Sequence, residues 1–304
     1  MSSHLTDLWV AVHLPRRHIA TMTQDRKTHF TGWYLLALGI FVGVLSLTSP
    51  SHAAPEAELW PHWQAHDPQS TDVVDHTPWD ALLDQYRRAG SIARFDYDRA
   101  RKEGAGTRLG EYLATLGQLD PRKLNRSEQM AYWVNLYNAL TVSVVLEHGP
   151  VDSIRDIDIS PGLFSSGPWG KKLMTVAGVE VSLDDIEHRI LRPIWRDARL
   201  HYVLNCASLG CPDLPERAVT AANAEEMLDR AARTFINHPR GARLNGKGRL
   251  HVSSIYSWFQ EDFGGNDRGV IRHLKEYASP DLAAGLSAVT EIEDHDYDWK
   301  LNRP

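Results

Sequence analysis

The segment that most constrains this chain is a helix expected to start near Asn125 or Ser127 and to run to His148, where Gly149-Pro150 stops it. Met130, Trp133, Val134, Tyr137, Leu140, Val144 and Val145 recur along it with a 3.6-residue period, which demands a buried face. Asn138 falls in line with Val134, Thr141 and Val145 on that face. No other helix expected in the chain is as long.

The neighbouring elements are short and mixed. Thr77-Pro78-Trp79-Asp80 opens a helix, with Thr as cap, Pro at the first position and an acid three residues on. Thr107 to Leu116 reads as a second helix. A loop rich in Gly, Pro and Ser covers Ser160 to Lys172, followed by two short strands within Leu173 to Val181. Ser182 with Asp185 caps a helix to about Arg192, His201 to Cys206 reads as a strand, and Asn223 with Glu226 caps a helix to Asn237. Asn245-Gly246 is a hairpin turn between Ala242–Leu244 and Arg249–Val252. A helix from Ser253 or Ser254 through Phe263, two more short helices and an extended tail from Ile292 to Leu301 complete the chain. Helices and strands without βαβ regularity indicate an α+β fold. One domain is expected from 76 to 304, after a loose leader at 54–75.

Residues 1–53 read as a signal peptide. Arg26, Lys27 and His29 precede the apolar run Gly32 to Leu47, and Ser51 and Ala53 stand at the small-residue positions of a cleavage site. The run falls short of the ~20 residues of a membrane span, and an uncleaved anchor is the alternative. Met22 lies a natural distance before it, as an alternative start. Cleavage would leave no stable membrane span and a periplasmic or secreted protein, in a compartment where disulfides persist. The formal net charge of -6 argues against nucleic acid as a partner. Two cysteines exclude a disulfide scaffold, and no phosphate-binding or other cofactor motif is present.

The strongest chemical signal is His201-Tyr-Val-Leu-Asn-Cys206-Ala-Ser-Leu-Gly-Cys211. A thiol beside a turn with free backbone N–H groups suits a nucleophile. A Cys206–Cys211 disulfide and a pair of buried free thiols are the other readings. On a regular strand His201 and Cys206 face opposite sides, so His201 would not serve Cys206 as a base. Glu187 lies beside the apolar stripe of its helix and His188 nearer solvent. They form either an acid/base pair at a cleft or a structural ion pair with Arg155, Arg189 or Arg192. Asn135 and Asn138 either tie down a loop or line a pocket. Trp169 is either a lid residue or the anchor of a surface loop. A metal site from His188, His201, Cys206 and Cys211 lacks the usual spacing.

Four motifs in order carry a resemblance: Tyr132 to Leu140, Ser182 to Arg192, His201 to Pro212 and Trp258 to Gly264. They resemble domain-of-unknown-function family 547 over roughly Thr77 to Gly265, with Tyr297–Leu301 also typical. That family is distantly similar to papain-like and transglutaminase-like cysteine enzymes. The similarity implies a helix packed on a small antiparallel sheet, with a Cys at the helix start and a His at the start of a strand. The Asn125–His148 helix would be the nucleophile helix and His201 the strand His, but that helix contains no Cys. Two functions follow. One is a thiol-dependent hydrolase, transferase or thiol-exchange protein using Cys206, His201 and Glu187. The other is a non-catalytic envelope binding module, stapled by Cys206–Cys211, whose cleft of Asn135, Asn138, Trp169 and His188 takes a small molecule, peptide or glycan.

Overall fold

The computed structural model describes residues 55–162 and 166–304. The expected signal peptide and Met22 lie outside these residues. Helices α1 (Thr77–Tyr86), α2 (Tyr97–Lys102) and α3 (Ala105–Gln118) precede α4 (Arg126–His148). The two-residue strands β1 (Arg87–Arg88) and β2 (Arg94–Phe95) pair antiparallel between α1 and α2. The α4 N-terminus is capped by Asn125, whose side chain accepts the Glu128 N–H at 3.0 Å.

Periodicity implied one buried face for α4, but every residue from Glu128 to Val142 is buried. The helix is covered on all sides, by α2 and α3 and by a wide-wound helix at Asp185–Leu191. The leader completes the cover, so the expectation of a loose 54–75 segment is corrected. Trp63 is fully buried and packs edge-on against Trp133, with ring centroids 5.0 Å apart. Gln129 Nε2 donates to the carbonyls of Trp63 at 3.2 Å and Ala65 at 2.8 Å. A segment that buries an indole and supplies hydrogen-bond partners to a core helix is part of the fold.

Strands β3 (Met174–Val176) and β4 (Val179–Val181) form a hairpin around Ala177-Gly178. Beyond it, Ser182 and Asp185 cap each other's backbone as expected, at 2.9 and 3.1 Å. The helix they open is π-wound over Asp185–Leu191 before α5 (Arg192–Trp195). Its wider turn changes which residues face inward, and His188 is buried rather than near solvent. Helix α6 (Ala224–Ile236) follows. Strands β5 (Ala242–Leu244) and β6 (Leu250–Ser253) form the expected hairpin, and α7 (Ile255–Trp258), α8 (Asp267–Tyr277) and α9 (Pro280–Leu286) complete a second, aromatic-rich core. Strand β7 (Ile292–Asp296) joins β6 in parallel. The tail after β7 crosses the cysteine loop: Leu209 and Gly210 donate to the carbonyls of Lys300 and Asp298 at 2.8 Å each, and Asn302 donates to Ala207 at 3.0 Å. The result, among the described residues, is an α+β fold of helices and three small sheets. Among the described residues no helix is long and apolar enough to cross a membrane.

Candidate functional site

The strand expected at His201–Cys206 is not formed. Ala198–Tyr202 is a 3-10 helix, opened by the Asp197 side chain, and 203–206 is an irregular run. A hydrogen-bonding side chain replaces the strand ladder. Asn138 Nδ2 donates to the Val203 carbonyl at 2.8 Å, and Asn138 Oδ1 accepts the Asn205 N–H at 2.8 Å. Asn135 does the same further on, donating to Val219 at 2.6 Å and accepting from it at 2.9 Å. Both amides are thus backbone clamps, each with its nitrogen and its oxygen bonded to the main chain. Asn205 in turn accepts from Ala207 N–H at 2.9 Å and donates to the Pro212 carbonyl at 2.7 Å, so it holds both limbs of the cysteine loop.

Within this loop the Cys206–Cys211 disulfide is not formed; both residues are thiols. The Cys211 sulfur sits over the Cys206 backbone and accepts its N–H at 3.0 Å. The Cys206 sulfur turns the other way, to the Tyr297 hydroxyl at 2.8 Å and the Ser208 hydroxyl at 3.3 Å, and these two hydroxyls lie 2.8 Å apart. Burial would raise the Cys206 pKa, but hydrogen bonds from Cys211, Ser208 and Tyr297 outweigh it and hold the thiol below its ordinary value. Cys211 moves the opposite way, pushed up by burial and by its neighbour.

Tyr297 also joins the thiol to a stack of half-buried rings. Its ring lies 4.8 Å from Trp258 and 4.6 Å from Trp299, and Trp169 meets Trp299 at 5.8 Å. The Trp169 loop is therefore anchored, with the Asp184 N–H donating to its carbonyl at 3.0 Å. Gly210 makes this packing possible. A Cβ there would come within 2.9 Å of the Tyr297 ring and 2.7 Å of the Asp298 backbone nitrogen.

Behind the thiol lies a buried polar row. His201 is sandwiched against Phe259, with centroids 4.3 Å apart, and leans on Phe263. Its Nε2 lies 2.7 Å from Asp262 Oδ2 and its Nδ1 lies 3.8 Å from Glu187 Oε1. An ionised Asp262 can only accept, so Nε2 carries the proton and Nδ1 presents its lone pair to Glu187. Arg192 Nε donates to the same Asp262 oxygen at 2.6 Å, and another Arg192 nitrogen donates to His188 Nδ1 at 3.1 Å. Burial raises Glu187 to about 7, although a Tyr137 hydrogen bond and Arg192 oppose it; the Cys206 charge adds to the rise. Asp262 falls to about 2 despite burial, because His201 and Arg192 hydrogen-bond it. Burial, Arg192 and His201 push His188 down to about 3. Burial also lowers His201 against the pull of Asp262.

Of the expected residues, the structure gathers Cys206, His201, Glu187 and His188 into one region and brings Trp169 to it through Trp299 and Tyr297. His201 serves Glu187 and Asp262 rather than Cys206. Of the three arginines weighed as ion partners, Arg192 fills that role, while Arg189 pairs with Asp185 at 3.0 Å and Arg155 lies over Trp299 at 5.2 Å. Among the described residues no metal-ligating group of three His, Cys, Asp or Glu converges. Asp262, Tyr297, Ser208 and Tyr137 were not singled out from the sequence. Asp262 stood inside the Trp258–Gly264 motif and Tyr297 inside the typical tail, so the signal was present without a role attached.

Neither the curated proteins nor the solved structures hold a match to this chain. The matched family segment ends before Asp262 and Tyr297 but contains α4, Glu187, His201 and both cysteines. Residues 121–236 match the model of a family described as Protein of unknown function, DUF547, so this segment is similar to that family.

Proposed function

We propose that the protein is an exported thiol-dependent enzyme that acts on an acyl-type bond, an amide or a thioester, through Cys206. One observation carries the reading. Residue Cys206 is half buried, and its sulfur lies 2.8 Å from the Tyr297 hydroxyl and 3.3 Å from the Ser208 hydroxyl. Charge-assisted hydrogen bonds of this kind favour the thiolate, which is the nucleophilic form. The thiolate bonds to the carbonyl carbon, the amine or thiol leaves, and water then releases the acyl group. Glu187, within electrostatic range of Cys206 and poised at about 7, supplies the proton the leaving group needs. Arg192, Asp262 and His201 are positioning residues beside Glu187, with His201 Nδ1 3.8 Å from Glu187 Oε1.

The papain-like plan is not the basis of this proposal, because His201 closes a 3-10 helix and α4 carries no Cys. A second reading, a non-catalytic envelope binding module, draws on the half-buried Trp169, Trp258 and Trp299 beside the site. Aromatic thioester and p-nitroanilide substrates separate the two. The enzyme reading expects turnover that Cys206→Ser abolishes and Cys211→Ser largely retains. Turnover that survives in Cys206→Ser contradicts it.

A further inference from the structure

The reaction proposed above makes no use of Cys211, yet the loop is built to hold this thiol against Cys206. The chain reverses between them: Ala207 adopts a left-handed φ of 59°, and the Cys211 N–H donates to the Ser208 carbonyl at 3.2 Å. The tail then locks the turn through its bonds to Leu209 and Gly210. Cys211 Sγ lies 3.0 Å from the Cys206 nitrogen and 3.5 Å from the Leu204 carbonyl, so this thiol is held directly against the Cys206 backbone. Access differs sharply. Cys206 is half buried on the aromatic side, whereas Cys211 is 4% exposed.

We propose that Cys206 is a peroxide-reactive site and that Cys211 is its resolving thiol, so that the pair cycles between dithiol and disulfide. The inference rests on the activated Cys206 of the proposed function. It adds a modification at that residue and the class of its oxidant, a hydroperoxide.

The steps balance. The Cys206 thiolate attacks one peroxide oxygen, the O–O bond breaks, and the departing oxygen takes a proton and leaves as water or an alcohol. Cys206 is then a sulfenic acid. The Cys211 sulfur attacks the Cys206 sulfur, the S–O bond breaks, and water leaves with the Cys211 proton. Two thiols have supplied two electrons to one peroxide, and two equivalents of an external thiol, themselves oxidised to a disulfide, restore both by exchange. Burial keeps Cys211 protonated while Cys206 carries charge, so Cys211 is not a competing nucleophile. Without a resolving thiol the sulfenic acid proceeds to a sulfinic acid, which is ordinarily irreversible.

The test treats the reduced full chain, freed of reductant, with hydrogen peroxide and reads intact mass and peptide maps. Iodoacetamide labelling at the same pH runs in parallel. The expected product has lost two hydrogens, contains a Cys206–Cys211 linked peptide and is restored by dithiothreitol. In Cys211→Ser and Cys211→Ala, Cys206 should instead gain oxygen, be captured by dimedone and advance to the sulfinic acid. Wild-type protein that alkylates fast at Cys206 but gains two oxygens there, with no link, overturns this inference and leaves the proposed function standing. A Cys206 that resists both reagents overturns both. If neither variant folds, the wild-type product decides.

Discussion

Asn138 Oδ1 accepts the backbone N–H of Asn205 at 2.8 Å, joining the middle of the longest helix to the residue that precedes Cys206. With the bond from Asn138 Nδ2 to the Val203 carbonyl, one buried amide sets the path of the chain into the site. Replacing it leaves two backbone groups unpaired in the interior, at about 1–3 kcal/mol each. Asn138→Leu should therefore lower stability in denaturant by several-fold more than Asn138→Gln, and should change the Cys206 alkylation rate as well. Equal stability of Asn138→Leu and wild type would contradict the clamp.

The Tyr297 hydroxyl, with Cys211 and Ser208, is one of the groups that favour the Cys206 thiolate. Tyr297→Phe removes that donor and keeps the ring stack. The apparent thiol pKa should rise, and below that pKa the alkylation rate at fixed pH should fall about tenfold for each unit of rise. Gly210→Ala should act in the same direction, because a Cβ meets the Tyr297 ring at 2.9 Å. An unchanged rate profile in Tyr297→Phe would remove the hydroxyl from the account.

Glu187 gives a pH signature. Its carboxyl is raised to about 7 in the folded protein, from 4.5. Below 4.5 both states hold the proton and folding is not penalised. Between 4.5 and 7 only the unfolded state releases it, so wild-type stability loses ground as pH rises. Glu187→Gln carries no such penalty. Its stability relative to wild type should climb from pH 4.5 to 7 and level off above, by on the order of 3 kcal/mol at most. Urea midpoints across that range check it, and a constant difference would place Glu187 as an ordinary carboxylate.

The leader offers a further check. Glu58 and Trp60 N–H groups donate to the His188 and Arg189 carbonyls at 3.0 and 2.9 Å, and the Pro55 carbonyl accepts from Arg192 at 2.7 Å. Deleting residues 55–60 opens His188 to water and should raise its pKa from about 3 toward the ordinary histidine range. Histidine NMR titration reads the shift. Trp63→Ala should cost about 3–5 kcal/mol, the usual range for emptying a buried indole site.

Much of this architecture was legible in the sequence. Periodicity found α4, and cap residues found α1 and the Ser182–Asp185 helix start, because these signals are local. The 3-10 helix at His201 was misread because Tyr202, Val203 and Leu204 look like strand residues, and the run after it is held not by a strand but by Asn138, which bonds the Val203 carbonyl 65 residues away and the Asn205 N–H. The buried His188 was missed because π winding alters the residue-to-face relation that a regular α-helix assumes. The cysteine segment itself was clear, but the groups that tune it were not. Tyr297 lies 91 residues from Cys206, and Asp262 lies 61 from His201. Such pairings are made by tertiary folding and leave no local spacing to read.

The most direct measurement is the iodoacetamide reaction rate of the reduced protein against pH, read by intact mass and peptide mapping. The account predicts one fast label, on Cys206, with a midpoint below the free-cysteine value of about 8.5. A midpoint at or above that value, or a label that falls on Cys211 first, would contradict an activated Cys206 and with it the proposed enzyme.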